Sequence, residues 1–307
     1  MNCSGAEVLL CAGCGIVEGG DDDAKLRKCT ACKSVRYCSV KCQREHRPQH
    51  KQACKKLAVE LRDEILFKQP EESDMGDCPI CCLPHSAVEG NSMLQTCCGK
   101  LICMGCAHAN RKHELQGKHE RKCPFCRQPV PTSRAEIEAY FKKRVAVNDP
   151  LTLIHKGVMC RDKEGDYKSA LSCFTKAAEL GNVEAHFHLS SLYVGRLGVP
   201  KDKKKEKYHL EEASIGGHLD ARYKLGGREG NSGNFFRGMK HFIIAASLGH
   251  DPSLERLKDL YTGGLVRKED YAAALRAHQA AVDATKSPQR EAAEAAKKRG
   301  EWKRFVF

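Results

Sequence analysis

Closely spaced cysteines are the residues of this sequence best suited to chemistry. The chain has 19 cysteines, and all but Cys160 and Cys173 precede residue 127, mostly in pairs of the form C-x-x-C. Such a pair puts two thiolates on one tight turn, where both can bind one zinc ion at about 2.3 Å from each sulfur. The pattern therefore predicts metal sites in the first half of the chain.

The compartment we expect favours zinc over disulfide bonds. The run MNCSGAEVLLCAGC lacks the basic start and long apolar middle of a secretory signal. No apolar run approaches the roughly 18 residues of a membrane span. We therefore expect a protein of the cytoplasm or nucleus, where thiols stay reduced. Cys3, Cys82, Cys160 and Cys173 lie outside the predicted ligand sets and fit buried thiols without metal.

The first cysteine block contains eight candidate ligands, enough for two tetrahedral sites. They are Cys11, Cys14, Cys29, Cys32, Cys38, Cys42, His50 and Cys54. The spacings C-x-x-x-C and H-x-x-x-C place two ligands on successive turns of a short helix. Together with the companion runs YCS, CQ and HK, this block at residues 11–54 resembles the MYND zinc finger.

The MYND resemblance implies that the ligand pairs interleave. One zinc would be held by Cys11, Cys14, Cys38 and Cys42, and the other by Cys29, Cys32, His50 and Cys54. His46 is an alternative to His50, but His50 has the family's spacing to Cys54.

The block departs from the MYND pattern in two places. The loop after Cys14 is longer than usual and carries Asp21, Asp22 and Asp23, and Arg47 stands where the family commonly has tryptophan. The metal sites depend on neither position. The family's binding of proline-rich peptides is not expected to carry over without that aromatic. A separate helical stretch, KKLAVELRDEILFKQ, and a linker, PEESDMGD, follow the block.

A second block, at residues 78–126, resembles a RING domain through the runs CPIC, ICMGC and CPFCR. The pairs are Cys78 and Cys81, Cys103 and Cys106, and Cys123 and Cys126. A RING usually has Cys-Gly-His before its third pair, whereas this chain has Cys98, Gly99 and Lys100. A protonated lysine has no lone pair to offer a metal.

Cys97 is the available replacement for the missing histidine. By analogy with all-cysteine RING variants, Cys97 and Cys98 would complete the second site with Cys123 and Cys126. The alternative is that one of the adjacent cysteines, or Cys82, is a bystander. Sixteen ligands in the two blocks would bind about four zinc ions, four ligands to each.

These zinc ions are expected to be structural. Neither block has enough apolar residues for a core of its own, and a structural zinc supplies on the order of 10–16 kcal/mol of folding free energy. A catalytic zinc keeps one coordination position open for water, and the sequence has no spare metallohydrolase motif such as HExxH. We therefore predict no catalytic residue in these sites.

The sequence after residue 150 contains an internal repeat that predicts pairs of helices. The phrases AAELG, EASIG and AASLG recur about 33 to 35 residues apart, and each precedes a helical segment and a second glycine, namely Gly195, Gly230 and Gly263. Residues 150–286 resemble SEL-one-like repeats, which are helix pairs of the tetratricopeptide type. The resemblance implies an α-solenoid with a concave protein-binding surface; a plain helical bundle is the alternative.

The histidines at 186, 188, 209, 218, 241 and 250 are expected to be surface or packing residues.

The formal charge of +13 raises the possibility of a nucleic-acid partner. Basic residues are scattered over both halves and interleaved with acids, which favours solvated helix faces over a nucleic-acid patch. Only the segment KKRGEWKRF is locally basic beside an aromatic residue, and residues 287–307 are predicted to form a basic C-terminal tail.

The predicted fold is mainly α, with two small cross-braced zinc modules followed by a solenoid of helix-turn-helix repeats. The predicted function is a zinc-binding scaffold for protein partners. The space between the blocks is too short for the SET domain of methyltransferases that also carry MYND fingers.

Two functional hypotheses remain. The RING resemblance implies a ubiquitin ligase that recruits a ubiquitin-conjugating enzyme and holds substrates on its repeats. Ile80, Pro124, Phe125 and Arg127 match the partner-contacting positions, whereas Asn110 stands where many active RING domains have tryptophan. The alternative is a non-enzymatic adaptor that binds partners through the MYND finger and the repeats.

Overall fold

The structure is a computed structural model that describes residues 9–19, 25–88, 90–117, 120–131, 133–195 and 198–301. The chain forms two compact units, Met1–Lys68 and Gln69–Phe307. Cys3, the loop aspartates Asp21 to Asp23 and the aromatic Trp302 lie outside the described residues.

The first unit pairs a very small sheet with one long helix. Strands β1 (Arg27–Lys28) and β2 (Arg36–Tyr37) are antiparallel, and helix α1 spans Val40–Leu66. Ser39 caps α1 by accepting a hydrogen bond from the backbone N–H of Cys42 at 3.2 Å. The buried core consists of Cys11, Leu26, Cys29, Cys32 and Tyr37. With three cysteines among five residues, this core depends on whatever holds the sulfur atoms together.

Helix α1 is longer than the sequence pattern predicts. The short helix expected around the ligands and the separate helix expected after them form one element of 27 residues, with Pro48 inside it. Proline removes one backbone hydrogen bond from a helix interior. The continuous helix places the ligands Cys42, His50 and Cys54 on one rigid element.

The second unit begins with a hairpin and a helix. Strand β3 (Ser92–Gln95) pairs antiparallel with β4 (Lys100–Cys103), with Gln95 opposite Lys100. Helix α2 (Met104–Gly117) follows directly. Its buried core is small, namely Cys78, Ile102, Cys103 and Ala107, as expected for a module that is held together by metal sites.

Ten helices continue the second unit to its described end. They are α3 (Arg134–Ala146), α4 (Pro150–Met159), α5 (Tyr167–Glu179), α6 (Val183–Leu192), α7 (Lys203–Ile215), α8 (Leu219–Asn231), α9 (Phe235–Ser247), α10 (Asp251–Thr262), α11 (Lys268–Ala284) and α12 (Pro288–Lys298). A π-helical segment, Cys160–Glu164, extends α4.

Alanines make the close contacts between the repeated helices. Ala177, Ala213 and Ala245, one from each recurring phrase, are fully buried. Neighbouring helices pack in sequence order from α4 to α10, and α11 packs on both α9 and α10. The predicted mainly α fold, with a solenoid of helix pairs after two cysteine-rich modules, is confirmed.

The glycines that end the helices differ in part from those predicted. Gly195 adopts the expected left-handed backbone, with φ of 84°. In the other two repeats the left-handed residues are Gly233 and Gly264, whereas Gly230 lies inside α8 and Gly263 caps α10 with φ of −78°. A positive φ costs glycine little, and in these two repeats the left-handed glycine lies one to three residues after the glycine chosen from the sequence.

Residues 287–307, predicted to be a basic tail, contain helix α12. Ser287 caps it by accepting from the backbone N–H of Arg290 at 3.3 Å, and Ala293 and Ala296 are buried against α2.

Within the described ranges, no helix combines the length and apolar composition needed to cross a bilayer.

Candidate metal centres

The first cluster joins two loops to the start of α1. It consists of Cys11, Cys14, Cys38 and Cys42, whose sulfur atoms lie within 4.8 Å of one another. The Cys14 and Cys38 sulfurs are 3.5 Å apart, and those of Cys38 and Cys42 are 3.6 Å apart. This is the set that the MYND resemblance implies for one ion.

The second cluster joins the β1–β2 hairpin to the middle of α1. It consists of Cys29, Cys32, His50 and Cys54. His50 Nε2 lies 3.3 Å from Cys32 Sγ, and the Cys29 and Cys54 sulfurs are 3.7 Å apart. His46, the alternative ligand, instead places Nδ1 3.0 Å from the Tyr37 hydroxyl. Its ring stacks on His50, with centroids 5.5 Å apart, so His46 supports the imidazole that enters the cluster.

The third cluster joins the CPIC turn to the end of β4 and the start of α2. It consists of Cys78, Cys81, Cys103 and Cys106. The Cys81 and Cys103 sulfurs are 3.8 Å apart. The backbone N–H of Cys103 donates to Cys78 Sγ at 3.4 Å.

The fourth cluster contains both adjacent cysteines of the CCGK run. Cys97 Sγ lies 3.3 Å from Cys126 Sγ, and Cys98 Sγ lies 3.8 Å from Cys123 Sγ. All four sulfurs lie within 4.8 Å of one another. Gly99, with φ of 69°, provides the turn that follows this adjacent pair and leads into β4. The structure thus brings together the set in which Cys97 takes the place of the missing histidine.

The spacing of the ligand atoms fits tetrahedral zinc. A regular tetrahedron with zinc–sulfur bonds of 2.3 Å has edges of about 3.8 Å, and the sulfur–sulfur distances given above run from 3.3 to 3.8 Å. Each cluster offers four protein ligands. A site filled in this way has no open position for a reacting water, which is typical of structural zinc.

Backbone N–H groups prepare some of these sulfurs for ionisation. Burial opposes the thiolate form of Cys78, but N–H groups of Cys103, Cys81 and Ile80 donate to its sulfur and lower its pKa to about 7. Burial likewise opposes ionisation of Cys11, whose pKa is lowered to about 6 by N–H donors that include Cys38. Metal-binding thiols must be deprotonated, so donors of this kind favour metal.

Three other described cysteines lie outside the clusters. Cys82 is exposed with φ of 54°, and Cys160 and Cys173 are buried among the helices. Among the described residues, the groups able to hold a metal through three or more ligands are the four clusters.

An open groove of about 570 Å³ lies beside the third cluster. Its floor comes from the CPIC turn and α2, through Ile80, Leu83, Cys106 and Ala109. Pro124 of the CPFC turn lines it as well, and Ser287 and Gln289 contribute from the start of α12.

Two of the four predicted partner-binding residues line this groove, and the other two do not. Ile80, 40% exposed, and Pro124 line it. Phe125, 44% exposed, is not among the lining residues; its ring centre lies 5.5 Å from Lys100 Nζ. Arg127 is exposed on a backbone with φ of 60° and also lies outside the lining.

Asn110 lines the groove but is held by its own module. Its Nδ2 donates to Glu114 Oε1 at 2.8 Å and to the carbonyl of Lys122 at 3.3 Å. Glu114 also accepts from the backbone N–H of Lys122 at 3.0 Å. Asn110 therefore fastens α2 to the loop before Cys123 and leaves the groove without a large aromatic side chain at this position.

Arg290 is a residue at the third cluster that the sequence does not reveal. Its guanidinium lies 3.5 Å from Cys81 Sγ, across 209 positions of the chain. No local spacing signals a contact of this kind.

Three histidines of the repeats cap a helix or link neighbouring helices. His218 Nδ1 accepts from the backbone N–H of Ala221 at 3.3 Å at the start of α8. His250 Nε2 contacts Asp220 at 3.2 Å, and His278 Nε2 contacts Asp251 at 2.8 Å. The first contact links the N-cap of α10 to α8, and the second links α11 to the first turn of α10.

Comparison with known proteins identifies the first block and offers neighbours for the repeats. The family model described as the MYND finger matches residues 11–54. One similar solved structure is a protective antigen of uropathogenic Escherichia coli strains with an SLR fold, at 19% identity and a TM-score of 0.41. That alignment covers 48% of this chain and 34% of the antigen. Another is a Sel1 repeat protein from Oxalobacter formigenes, at 18% identity and a TM-score of 0.40, covering 52% of this chain and 68% of that one. This chain thus spans about a third of the first of these structures.

Proposed function

We propose that the protein is a zinc-dependent scaffold that binds other proteins, and that its RING-like module recruits a ubiquitin-conjugating enzyme. Zinc would be held by the four clusters, one ion in each, and would fix the loops that surround the groove. The helical repeats would hold the substrate, because stacked helix pairs offer an extended surface for protein segments.

The groove beside the third cluster is the observation that carries the ligase proposal. A loop of a partner could enter it and contact Ile80 and Pro124, which are apolar and solvent-accessible. Arg127 would reach the partner from outside the groove, where its exposed cation is free to meet an acidic surface. Such a partner needs a small apolar contact with charged residues around it.

The chain would contribute position rather than a nucleophile. Each cluster offers four protein ligands, so zinc there would act structurally. The reactive thioester would belong to the conjugating enzyme. Rate enhancement would come from holding that thioester and the substrate amine in a reactive geometry.

A ubiquitin-transfer assay with a panel of conjugating enzymes tests the proposal. Ile80→Ala and Arg127→Ala should each abolish transfer while the zinc content stays that of the wild type, because neither side chain is a candidate ligand. Leu115→Ala is the matched control, since Leu115 is an exposed apolar residue of α2 outside the groove lining. Loss of transfer in the control, or full transfer in both groove-side variants, contradicts the proposed surface.

The alternative function is a non-enzymatic adaptor, and Asn110 is the observation that favours it. Its amide is bound within the module, so the groove lacks the aromatic that many active RING domains present. Wild-type protein that transfers no ubiquitin but binds partners through residues 150–286 would support the adaptor. Asn110→Trp would then be the variant to test for gain of transfer.

A further inference from the structure

Arg290 of α12 reaches the loop that carries the third cluster. One terminal nitrogen, Nη2, donates to the carbonyl of Leu83 at 3.0 Å and lies 3.5 Å from Cys81 Sγ. The other, Nη1, donates to the carbonyl of Pro84 at 2.6 Å. The same nitrogen also donates to the carbonyl of Thr285 at 2.9 Å, at the end of α11. One guanidinium therefore ties the cluster loop to the α11–α12 turn.

The packing of α12 on α2 requires a glycine at the contact. A Cβ atom on Gly105 would lie 2.7 Å from the backbone nitrogen of Arg290 and 2.9 Å from its Cα. Gly105 stands between the two ligands Cys103 and Cys106, at the start of α2. Ala293 and Ala296 are buried further along α12. The backbone of α12 thus approaches the backbone of the cluster itself.

The positive charge of Arg290 favours its position beside the third cluster when zinc is bound there. Four thiolates around one divalent zinc carry a formal charge of about −2. N–H donors and cations around a metal site orient the ligands and tune metal affinity. Arg290 is the cation whose N–H groups point at Cys81 and at the two carbonyls that follow it, and a guanidinium keeps its charge at any pH the protein tolerates.

We propose that Arg290 is a positioning residue for the third cluster, coupling metal binding at Cys78, Cys81, Cys103 and Cys106 to the docking of helix α12. The inference rests on the metal binding proposed above and adds a residue that is no ligand and lies outside the cysteine-rich blocks. α12 thereby belongs to the RING-like module, although the chain reaches it only after the whole solenoid.

The coupling acts in both directions. If docking of α12 raises the metal affinity of the third cluster, then metal bound there must raise the equilibrium constant for docking of α12 by the same factor. Because Ser287 and Gln289 line the groove, docking also fixes one wall of the surface offered to a partner. Release of α12 would remove that wall without changing any cysteine.

The test is zinc release from the full-length protein to a colorimetric chelator. Arg290→Ala should speed the release of one zinc equivalent by about 10–100-fold, which is the usual effect of losing a partner of a metal ligand. The remaining equivalents should leave at the wild-type rate. Arg290→Lys should be intermediate, since an ammonium keeps the charge but cannot form the same fork of hydrogen bonds. Arg299→Ala, at the C-terminal cap of the same helix and paired with exposed Glu301, should release zinc as the wild type does.

Two further measurements separate positioning from general destabilisation. In cobalt-substituted protein, Arg290→Ala should shift the sulfur-to-metal absorption of one cluster while the helical circular dichroism is retained. Hydrogen exchange of residues 288–298 should be faster both in Arg290→Ala and in Cys81→Ser, which loses a ligand of the third cluster. Cys32→Ser, which loses a ligand in the other unit, should leave exchange in α12 unchanged.

The outcomes distinguish this inference from the proposed function. About four zinc ions with identical release kinetics in wild type and Arg290→Ala would overturn the role of Arg290 and leave the metal assignment intact. Only two zinc ions in the wild type, with none lost in Cys81→Ser, would overturn the third cluster as a metal site and this inference with it. Ubiquitin transfer enters neither result, so failure of the ligase proposal does not affect them.

Discussion

The Nζ atom of Lys100 lies 5.5 Å from the centre of the Phe125 ring. Lys100 is exposed, and its ammonium lies over this aromatic ring. A cation over an aromatic ring is favourable by about 0.5–1 kcal/mol at exposed sites. Lys100, at the position where the RING resemblance implies a histidine ligand, thus contacts an aromatic ring, and Cys97 is the fourth member of the cluster.

We expect Lys100→His to be close to neutral. The zinc content should equal that of the wild type and the free energy of unfolding should change by no more than about 0.5 kcal/mol, because the fourth cluster already has four sulfurs. Cys97→Ser and Cys98→Ser should each lose about one zinc ion, measured by metal analysis. Recovery of that ion in the double variant Cys97→Ser with Lys100→His would show that position 100 does reach the cluster.

Metal analysis of the purified protein should find about four zinc ions, one for each group of four ligands. Two or fewer would refute the four-site assignment.

Chelation should unfold the zinc modules and leave most of the helical circular dichroism in place. Helices α5 to α10 have their own core, which includes Phe174, Leu189 and Leu257, whereas the cores around α1 and α2 are largely cysteine. The measurement is ellipticity before and after addition of a strong chelator. Complete loss of helical signal would mean that the solenoid depends on the metal sites.

Gly105→Ala should destabilise the contact between α2 and α12. The new Cβ would lie 2.7 Å from the backbone of Arg290, and overpacking of this kind costs about 1–3 kcal/mol. Thermal or denaturant unfolding would measure the loss, and faster hydrogen exchange in α12 would locate it.

Gly227→Ala is the matched control for that variant. Gly227 lies inside α8, and outside its own helix no atom of the described residues lies within 4 Å of the Cβ position. Alanine there should stabilise the protein by about 1 kcal/mol, because glycine is a poor helix former. Equal destabilisation by both substitutions would contradict a specific role for the small residue at position 105.

The buried His218 should make stability depend on pH. Burial is the main cause that lowers its pKa from the ordinary 6.5 to about 4, and Lys224 lowers the pKa further, against the opposing effect of Asp220. The unfolded chain therefore takes up a proton between pH 6.5 and pH 4 while the folded chain does not. Stability is fully present above pH 6.5 and falls towards pH 4, by about 1.4 kcal/mol per pH unit for such a group.

His218→Asn removes this titration and keeps an acceptor for the helix N-terminus. The difference in unfolding free energy between wild type and variant cancels the pH dependence of the metal sites, which is common to both. As pH falls from 6.5 to 4, the free energy of unfolding of the variant should rise relative to that of the wild type. A difference that stays constant over this range would mean that His218 titrates alike in the folded and unfolded chains.

Local spacing explains how much of the structure could be predicted. Ligands that share a turn or a helix, such as Cys29 with Cys32 or His50 with Cys54, are fixed by a few residues of backbone, so their pattern is visible in the sequence. The adjacent pair Cys97 and Cys98 was predicted by analogy, and the structure gathers the same four sulfurs. The period of the helical repeats is also local and gave the correct fold class.

Contacts between distant segments could not be predicted in this way. Arg290 and Cys81 are 209 positions apart, and neither the spacing nor the composition around Arg290 points to a metal cluster. The groove wall formed by Ser287 and Gln289 depends on the same long-range docking. The full length of α1 is not evident from local spacing either, because Pro48 lies inside this helix and a proline in a sequence usually disfavours a helix interior.

Helix α1 carries ligands for both clusters of the first unit, with Cys42 in one and His50 and Cys54 in the other. Eight residues of helix, about 12 Å, separate Cys42 from His50. A first zinc ion at either cluster would order this helical segment. The ligands of the other cluster would then already be in position when a second ion binds. Loading should therefore be cooperative, and a titration of the metal-free protein should populate very little of the species with one ion in this unit.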